Sequence, residues 1–407
     1  MILWKRNLLI AWIGSFATTA GMSLVIPFLP LYIQQLGVQS TAEVEQWAGI
    51  AFGSTFLTSA IVSPIWGRLA DRRGRKLMLL RASLGMAIVM TAMGFVTSVY
   101  QLVGLRLLMG AVSGYIAAAI TLIATQTPKE HSGWALGTLS TGTVGGNLMG
   151  PLIGGYLAEA IGLRHVFFVT GGFMMLAFLI TLIFAKEHFA PPKPAPRAKG
   201  GFWAQIPNRR TLWALFLTTF MLQLANMSIE PIVTVYVTQL AGNTEHIALI
   251  SGAVVAAAGF ANAMTASWLG KISDRLGPHR ILFAALLVGA LVFIPQAYVR
   301  TPWELLGLRL LLGVCMAGML PSINSLIKRN VPEAMAGRVF GYNQSAQYLG
   351  NIGGPLLGSQ TAAHFGFHYV FFSTSFLLLV NALWLRYTEK HAGLVPGSRH
   401  RHRLNTG

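Results

Sequence analysis

Long apolar runs separated by short loops occupy most of this 407-residue chain. A helix that crosses a lipid bilayer needs about 20 mostly apolar residues, so each run can form one membrane span. Only 10% of the residues are charged, whereas soluble domains contain about 25%. The sequence therefore predicts an all-α polytopic membrane protein and excludes a soluble one. The twelve predicted spans cover residues 8–36, 46–70, 77–97, 99–124, 133–161, 165–185, 209–239, 246–270, 279–299, 302–327, 337–363 and 367–388.

The charged residues are distributed unevenly between two sets of loops. Lysine and arginine outnumber aspartate and glutamate by 30 to 12, and nearly all of the basic residues fall in alternate loops and near the two chain ends. Basic loops stay in the cytoplasm, so both termini are expected there. The clustering argues against a nucleic-acid partner, because the charges form no continuous basic face. The opposite loops contain only Arg164 and Arg300 as basic residues, and they also contain Glu43, Glu45, Glu159, Glu245 and Glu304.

A Pro- and Lys-rich stretch after the sixth span divides the chain. It contains the sequence PPKPAPRAKGG, which cannot cross a bilayer and is typical of a solvated linker. We therefore predict an N-terminal six-helix bundle over residues 1–185, a cytoplasmic linker over 186–208 and a C-terminal six-helix bundle over 209–390. Residues 391–407 have the composition of a basic, disordered tail.

The second half of the chain repeats the first at an offset of 203 to 204 residues. A near-constant register through six spans predicts two bundles of the same topology. Secondary transporters with such repeats bind their substrate between the halves, near the middle of the membrane. The repeat partners include Gly67/Gly270, Asp71/Asp274, Arg106/Arg309, Pro27/Pro231, Tyr32/Tyr236, Gly150/Gly354, Pro151/Pro355 and Phe167/Phe371.

The loop after the second span, here named the latch loop (residues 67–76), reads GRLADRRGRK. It closely resembles the GxLaDrxGRk signature of the major facilitator superfamily. The resemblance implies a conformational latch on the cytoplasmic side of the membrane. The alternative is a basic cluster that only sets the topology. The latch residues implied by the resemblance are Gly67, Asp71, Arg72, Gly74 and Arg75.

The fifth span is rich in glycine and contains Gly146, Gly150, Pro151, Gly154 and Gly155. It resembles the gxxxGPxxGG motif of the drug:proton antiporters within the same superfamily. Small residues four apart permit close helix contact, and generic packing is therefore the alternative explanation. The resemblance implies a bacterial inner-membrane protein that exports lipophilic compounds, cations among them, by alternating access. A proton gradient would supply the energy, and no cofactor is implied.

Ionisable residues inside predicted spans are candidates for proton coupling. Glu230, in the seventh span, is the only carboxylate that the sequence places well inside a helix core, and an acid at that depth is a functional candidate by default. Arg106, in the fourth span, resembles an arginine that the family uses in coupling, and Arg309 is its repeat partner. The alternatives are a Glu230 held in a static hydrogen bond and two arginines with structural roles.

Polar side chains recur at helical spacing beside Glu230, so one face of the seventh span should border a wet cavity. Similar stripes occur in the fifth and eleventh spans, where interhelical hydrogen bonds are the alternative. Tyrosine and methionine side chains would supply an adaptable apolar wall, although packing or lipid contact is the commoner role of each. The candidate substrate-binding residues are Glu230, Asn226, Gln223, Met227, Tyr236, Tyr32, Met22, Tyr115, Asn147, Asn343 and Gln347.

Signatures of other functional classes are missing from the sequence. It contains no Walker A loop, no HExxH and no GxSxG. The single cysteine, Cys315, allows neither an intramolecular disulfide nor a cysteine-based metal site. We expect a monomer that is not an enzyme and whose partners are lipophilic small molecules, protons and membrane lipids. A proton-coupled uptake symporter for a metabolite is the alternative transporter, and a non-transporting membrane receptor is the alternative from another class.

Overall fold

The protein is represented by a computed structural model in which all regular secondary structure of the described residues is helical. The described residues are 3–128, 131–187, 209–242, 246–331 and 333–392. Nearly all of the predicted linker and tail lies outside them. The helices are α1 (Leu3–Leu24), α2 (Leu29–Gln35), α3 (Thr41–Arg73), α4 (Arg75–Met93), α5 (Val99–Val112), α6 (Tyr115–Gln126), α7 (Ser132–Ile161), α8 (Leu163–Phe184), α9 (Arg209–Ile229), α10 (Val233–Ala241), α11 (Ile247–Leu276), α12 (Pro278–Gln296), α13 (Pro302–Arg329), α14 (Glu333–Phe365) and α15 (Phe367–Ala392).

Three of the predicted spans are broken helices. The first span breaks between α1 and α2 around Pro27, and the seventh breaks between α9 and α10 around Pro231. Proline lacks the backbone N–H that a helix interior needs and clashes with the preceding turn, so both breaks follow from the sequence. The fourth span breaks between α5 and α6 at Gly114, which has a positive φ of 117°. Each predicted span thus corresponds to one helix or one broken pair, as in the predicted all-α architecture.

Ten of these spans are long and apolar enough to cross a membrane by themselves, within the described residues. α7 and α14 are not among the ten, although they contain 30 and 33 residues. Both helices carry the glycine motifs, and both contact the opposite half of the molecule, α7 through α11 and α14 through α3. A helix that faces protein on several sides does not need a continuous apolar surface.

The sequence repeat is reproduced at the level of single contacts. The Tyr32 hydroxyl donates a hydrogen bond to the Met93 carbonyl at 2.7 Å, and the Tyr236 hydroxyl donates one to the Gln296 carbonyl at 3.0 Å. Each tyrosine ring also packs on the phenylalanine that the repeat places beside it, Phe167 for Tyr32 and Phe371 for Tyr236. These matched contacts show that α1–α8 and α9–α15 are two copies of one packing arrangement, which we call the two halves.

The glycines of α7 bring its backbone against α1. A Cβ atom at Gly146 would lie 2.7 Å from the Phe16 carbonyl oxygen, and one at Gly150 would lie 2.7 Å from the Ala20 carbonyl oxygen. Real Cβ atoms do not approach so closely, so only glycine fits at these positions. The stripe of small residues therefore has the packing role that its four-residue spacing indicates.

The halves contact each other at one end of the molecule, here named the closed end. At this end Gly49 of α3 approaches Ser359 of α14, and Gly155 of α7 approaches Leu249 of α11. At the opposite end, here named the open end, the glycines of the same helices have open space beside them. A Cβ atom would meet no described neighbour within 4 Å at Gly67, Gly137, Gly270 or Gly341.

We predict that Gly150→Ala lowers the stability of the folded protein by about 1–3 kcal/mol, because the added methyl group overpacks the α1–α7 contact. Gly137→Ala, on the same helix but without a neighbour, is the matched control and should be neutral or stabilising by up to about 1 kcal/mol, since alanine favours helix. Thermal unfolding of the two variants in the same detergent measures the difference. Equal melting temperatures would contradict the packing role of Gly150.

Candidate functional site

Glu230 lies in the break of the seventh span. α9 ends at Ile229 and α10 begins at Val233, so Glu230 and Pro231 stand outside regular helix. The Glu230 side chain is partly exposed, but its Oε2 atom is buried and has no hydrogen-bond partner among the described residues. A buried polar atom without a partner is costly and points to a ligand, a proton or a bound water. The predicted intramembrane acid is therefore neither on the lipid surface nor held in a complete hydrogen-bond network.

Arg309 of α13 is the basic residue that interacts electrostatically with Glu230. Arg309 is only 6% exposed, and its Nε and Nη2 atoms lack hydrogen-bond partners in the described part of the chain. No direct ion pair joins the two side chains within the described ranges. Each side chain therefore keeps buried polar atoms that no described hydrogen bond satisfies. The arrangement suits exchange of a proton or a charged ligand.

Arg106, the repeat partner of Arg309, occupies a different setting. Its guanidinium lies 5.6 Å from the centre of the Phe52 ring, and the residue is 3% exposed. The two halves thus share a buried arginine but differ in the acid, because Ile26 is the repeat partner of Glu230. Arg106 and Glu230 both remain coupling candidates, and the electrostatic partner of Glu230 in the structure is Arg309.

Polar side chains from α9 and α14 meet on the open-end side of Glu230. The Gln223 amide donates a hydrogen bond to Asn351 Oδ1 at 3.1 Å, and the Thr219 hydroxyl donates one to Asn343 Oδ1 at 2.8 Å. Gln223 and Gln347 are partly exposed, whereas Asn343 is 1% exposed and buried within its half. The structure therefore places Gln223 at a polar contact between α9 and α14. Asn343 forms an interhelical hydrogen bond there and is not exposed to a cavity.

Asn226 and Met227, the other predicted residues of α9, are partly exposed. Met227 lies against Gly354 of α14, where a Cβ atom would come within 2.6 Å of the Met227 Cβ. This contact places Met227 at the α9–α14 interface. Asn226 lies in the last turn of α9, four residues before Glu230.

Asn147 is exposed, and its position on α7 shows what it faces. It precedes Pro151 and Gly155 by one and two helical turns, so the three residues lie on one face of the helix. Pro151 and Gly155 contact α11 of the other half. Asn147 therefore lies where α7 and α11 diverge toward the open end, and it faces the space between the halves.

Three predicted lining tyrosines do not reach such a space. Tyr32, Tyr115 and Tyr236 are almost completely buried, and their hydroxyls already bond to groups of their own half, in Tyr115 to Thr181 at 3.3 Å. Met22 is partly buried against the main apolar core. Their prediction as substrate contacts is replaced by a structural role, because an aromatic pattern alone does not distinguish a cavity wall from a bundle core.

The latch loop is found at the open end. Gly67 is exposed and Gly74 adopts a φ of 92° between α3 and α4, while the Asp71 side chain lies outside the described structure. A carboxylate, that of Glu187, binds the N-terminus of α4 here. Its two oxygens accept the backbone N–H groups of Arg75 at 3.0 Å and Lys76 at 2.7 Å. Sequence reasoning assigned Glu187 to the linker and missed this contact.

At the closed end, a carboxylate of one half binds the other half. Glu159, at the end of α7, accepts the backbone N–H of Leu249 at 2.9 Å and contacts His246 Nδ1 at 2.8 Å. Both partners lie at the start of α11, where the helix dipole favours an anion. Nearby, the Thr234 hydroxyl donates a hydrogen bond to the Pro27 carbonyl at 2.7 Å, so the two broken spans also meet at this end.

Two surface grooves repeat the symmetry but lie away from Glu230. Their volumes are about 570 Å³ and 450 Å³, and every residue of one groove is offset by 203 from a residue of the other. Both contain an open glycine and an exposed aromatic ring, so they suit lipid contact more than a buried substrate. The first is lined by Pro295, Tyr298, Val299, Glu304, Gly307 and Leu308, and the second by Ala92, Phe95, Val96, Gln101, Gly104 and Leu105.

A family profile described as Major Facilitator Superfamily matches residues 11–302 and 292–405, nearly the whole chain. The chain belongs to the major facilitator superfamily. Curated relatives extend over the same length. The multidrug resistance protein MdtG of Dickeya zeae (strain Ech586) is 48% identical over 390 residues, which cover 95% of this chain and 96% of that protein. MdtG of Rahnella sp. (strain Y9602) is 48% identical over 396 residues, with 96% of each protein covered.

Solved structures support the major facilitator fold. A bacterial homologue of the human lysosomal transporter Spinster, in an inward-facing and occupied conformation, superposes with a TM-score of 0.81. The match covers 96% of this chain and 97% of that one, at 15% sequence identity. A match at such low sequence identity shows only that the two proteins share a fold. The family assignment from sequence is thus confirmed by the profile and the relatives, and the predicted fold is confirmed by the solved structure.

We predict that Gly155→Val separates the halves at the closed end, because the larger side chain cannot fit beside Leu249 Cα, which lies 2.9 Å from the Cβ position. Gly137→Val on the open stretch of the same helix is the control and should leave the separation unchanged. Distances between spin labels at the closed ends of α7 and α11, in a Cys315→Ser background, report the change. An unaltered distance in Gly155→Val would show that the contact between α7 and α11 does not hold the halves together.

Proposed function

We propose that this protein is a proton-driven multidrug exporter that works by alternating access between its two halves. The main supporting observation is the setting of Glu230 at the break of a membrane span. Its buried Oε2 atom has no hydrogen-bond partner among the described residues, and it interacts electrostatically with Arg309 without a direct ion pair in the described structure. Relatives named multidrug resistance protein MdtG, at 48% identity over nearly the full length, support the substrate class. The proposed activity is transport without catalytic chemistry, and it uses a proton gradient in place of a cofactor.

The proposed orientation places the open end in the cytoplasm of a bacterial cell and the closed end outside the plasma membrane. The distribution of basic residues supports it, since the loops at the open end carry nearly all of them. Both termini would then be cytoplasmic. With this orientation, the structure would be open toward the cytoplasm. In this state a lipophilic compound reaches the space between the halves from the cytoplasm or the inner leaflet.

Glu230 would couple the proton to the substrate by competition. An ionised Glu230 is tolerated in a low-dielectric setting because Arg309 compensates its charge. A proton or a cationic substrate that binds the carboxylate changes this balance, and each excludes the other. If the two halves rearrange only when one of them is bound, an inward proton drives an outward substrate. Gln223, which is partly exposed, and Asn147, which is exposed, would contact the substrate with adaptable polar groups.

The test is uptake of a fluorescent lipophilic cation into inside-out membrane vesicles with an imposed proton gradient. We expect Glu230→Gln to reduce gradient-driven uptake to the level of vesicles without the protein, because glutamine cannot release a proton. Glu43→Gln, which changes an exposed acid in the first turn of α3, is the matched control and should transport normally. Binding of the cation, measured without a gradient, should persist in both variants.

Three outcomes would contradict the proposal. Normal gradient-driven uptake by Glu230→Gln would remove Glu230 from coupling and leave it a structural role. Proton movement in the same direction as the substrate would establish a symporter instead of an exporter. Absence of any transport by the unmodified protein, with all variants well folded, would favour the receptor alternative.

A further inference from the structure

Glu45 is a second buried acid that no role so far described uses. Sequence reasoning placed it in a loop before the second span, but α3 begins earlier, at Thr41, and includes it. The residue is 2% exposed, and its Oε2 atom is inaccessible to solvent and has no hydrogen-bond partner in the described ranges. Glu43, two residues before it, is exposed. Of these two neighbouring acids, Glu45 is therefore buried in the protein and Glu43 is exposed.

The contact between α3 and α14 of the opposite half, here named the seam, explains what buries Glu45. Gly49 and Gly53 follow it by one and two helical turns on the same face of α3. A Cβ atom at Gly53 would lie 3.3 Å from the Ile352 carbonyl oxygen, and Gly49 approaches Pro355 and Ser359. These partners belong to α14 of the opposite half. Glu45 therefore continues the face of α3 that closes against the other half at the closed end.

Few charged or titratable groups stand near this part of α3. The helices that pack against α3 are α2, α4, α5 and α14. α4 contributes no titratable group over residues 84–93, and the Tyr32 hydroxyl of α2 already bonds to Met93. No described ion pair involves Glu45. The remaining titratable or charged groups in the facing parts of these helices are Tyr100 and Arg106 of α5 and Tyr348 and His364 of α14.

We propose that Glu45 is a proton-binding site that governs closure of the extracytoplasmic end. An isolated carboxylate is very costly to bury in its charged form, so the seam closes over Glu45 with a proton bound. When the halves separate at this end, the carboxyl group meets extracytoplasmic water and can release the proton there. The proton is taken from and returned to the same side, so Glu45 gates the cycle and does not carry the transported proton.

The sign of the pH effect follows from this linkage. Raising the pH favours the ionised carboxylate, which only the separated seam tolerates, so the closed end opens. Lowering the pH favours the neutral acid and the closed seam. One linked proton changes the ratio of open to closed molecules by at most about tenfold per pH unit. This inference rests on the proposed function for its orientation, but its test needs neither substrate nor transport.

The experiment measures the distance across the closed end as a function of pH. Spin labels at Thr41 and Gln360, both exposed positions on α3 and α14, are introduced in a Cys315→Ser background and the full-length protein is reconstituted in nanodiscs. We expect the open fraction to rise with pH in the otherwise unmodified protein and in Glu43→Gln. In Glu45→Gln, whose side chain is always neutral, the seam should stay closed at every pH.

Retention of the pH response in Glu45→Gln, or its absence from the unmodified protein, would overturn the proposal. Glu45→Asp keeps a titratable carboxyl group and should keep the response, which covers the case that glutamine prevents folding. The transport assay of Glu230→Gln is separate, since it measures gradient-driven uptake. A failure of the proposed function would therefore leave the pH dependence of the seam intact, and a failure of this inference would leave Glu230 as the coupling acid.

Discussion

The structure depends on one constraint, that a backbone inside a membrane must satisfy its own hydrogen bonds. Continuous helices do this automatically, and a break is tolerated only where protein surrounds it. Here the first and seventh spans break at Pro27 and Pro231 where the two halves meet, and the Thr234 hydroxyl bonds to the Pro27 carbonyl across that contact. Glu230, the proposed coupling acid, occupies one of these breaks. The same protein-lined position that tolerates irregular backbone also tolerates an ionisable side chain.

Glycine determines how the halves can move. On α7 one glycine face packs on α1 within a half, through Gly146 and Gly150, while Gly155 faces α11 of the other half. The first contact should persist during transport, since it belongs to a single bundle. The second must separate whenever the closed end opens. The polar contacts of Glu159 with His246 and with the Leu249 N–H also cross between the halves at this end, so the same separation would break them.

Much of the fold was predictable because its signals are local or repeated. Apolar length indicated the spans, and the offset of 203 to 204 residues indicated the symmetry, which Tyr32 and Tyr236 reproduce down to equivalent hydrogen bonds. The same two tyrosines show the limit of such reasoning. A sequence pattern places an aromatic residue on a helix face, but it does not say whether a neighbouring helix or a cavity covers that face.

Residue type and spacing along the chain were enough to predict the membrane class, the pseudo-twofold repeat and the family, and they made Glu230 a candidate. The packing of the folded helices was needed to show that Arg309 is the electrostatic partner of Glu230, that Glu187 binds the start of α4 and that Glu45 is buried. These are contacts between residues far apart in sequence. Their geometry depends on how whole helices pack, and a small-residue stripe indicates that a helix packs closely but not which distant residues that packing brings together.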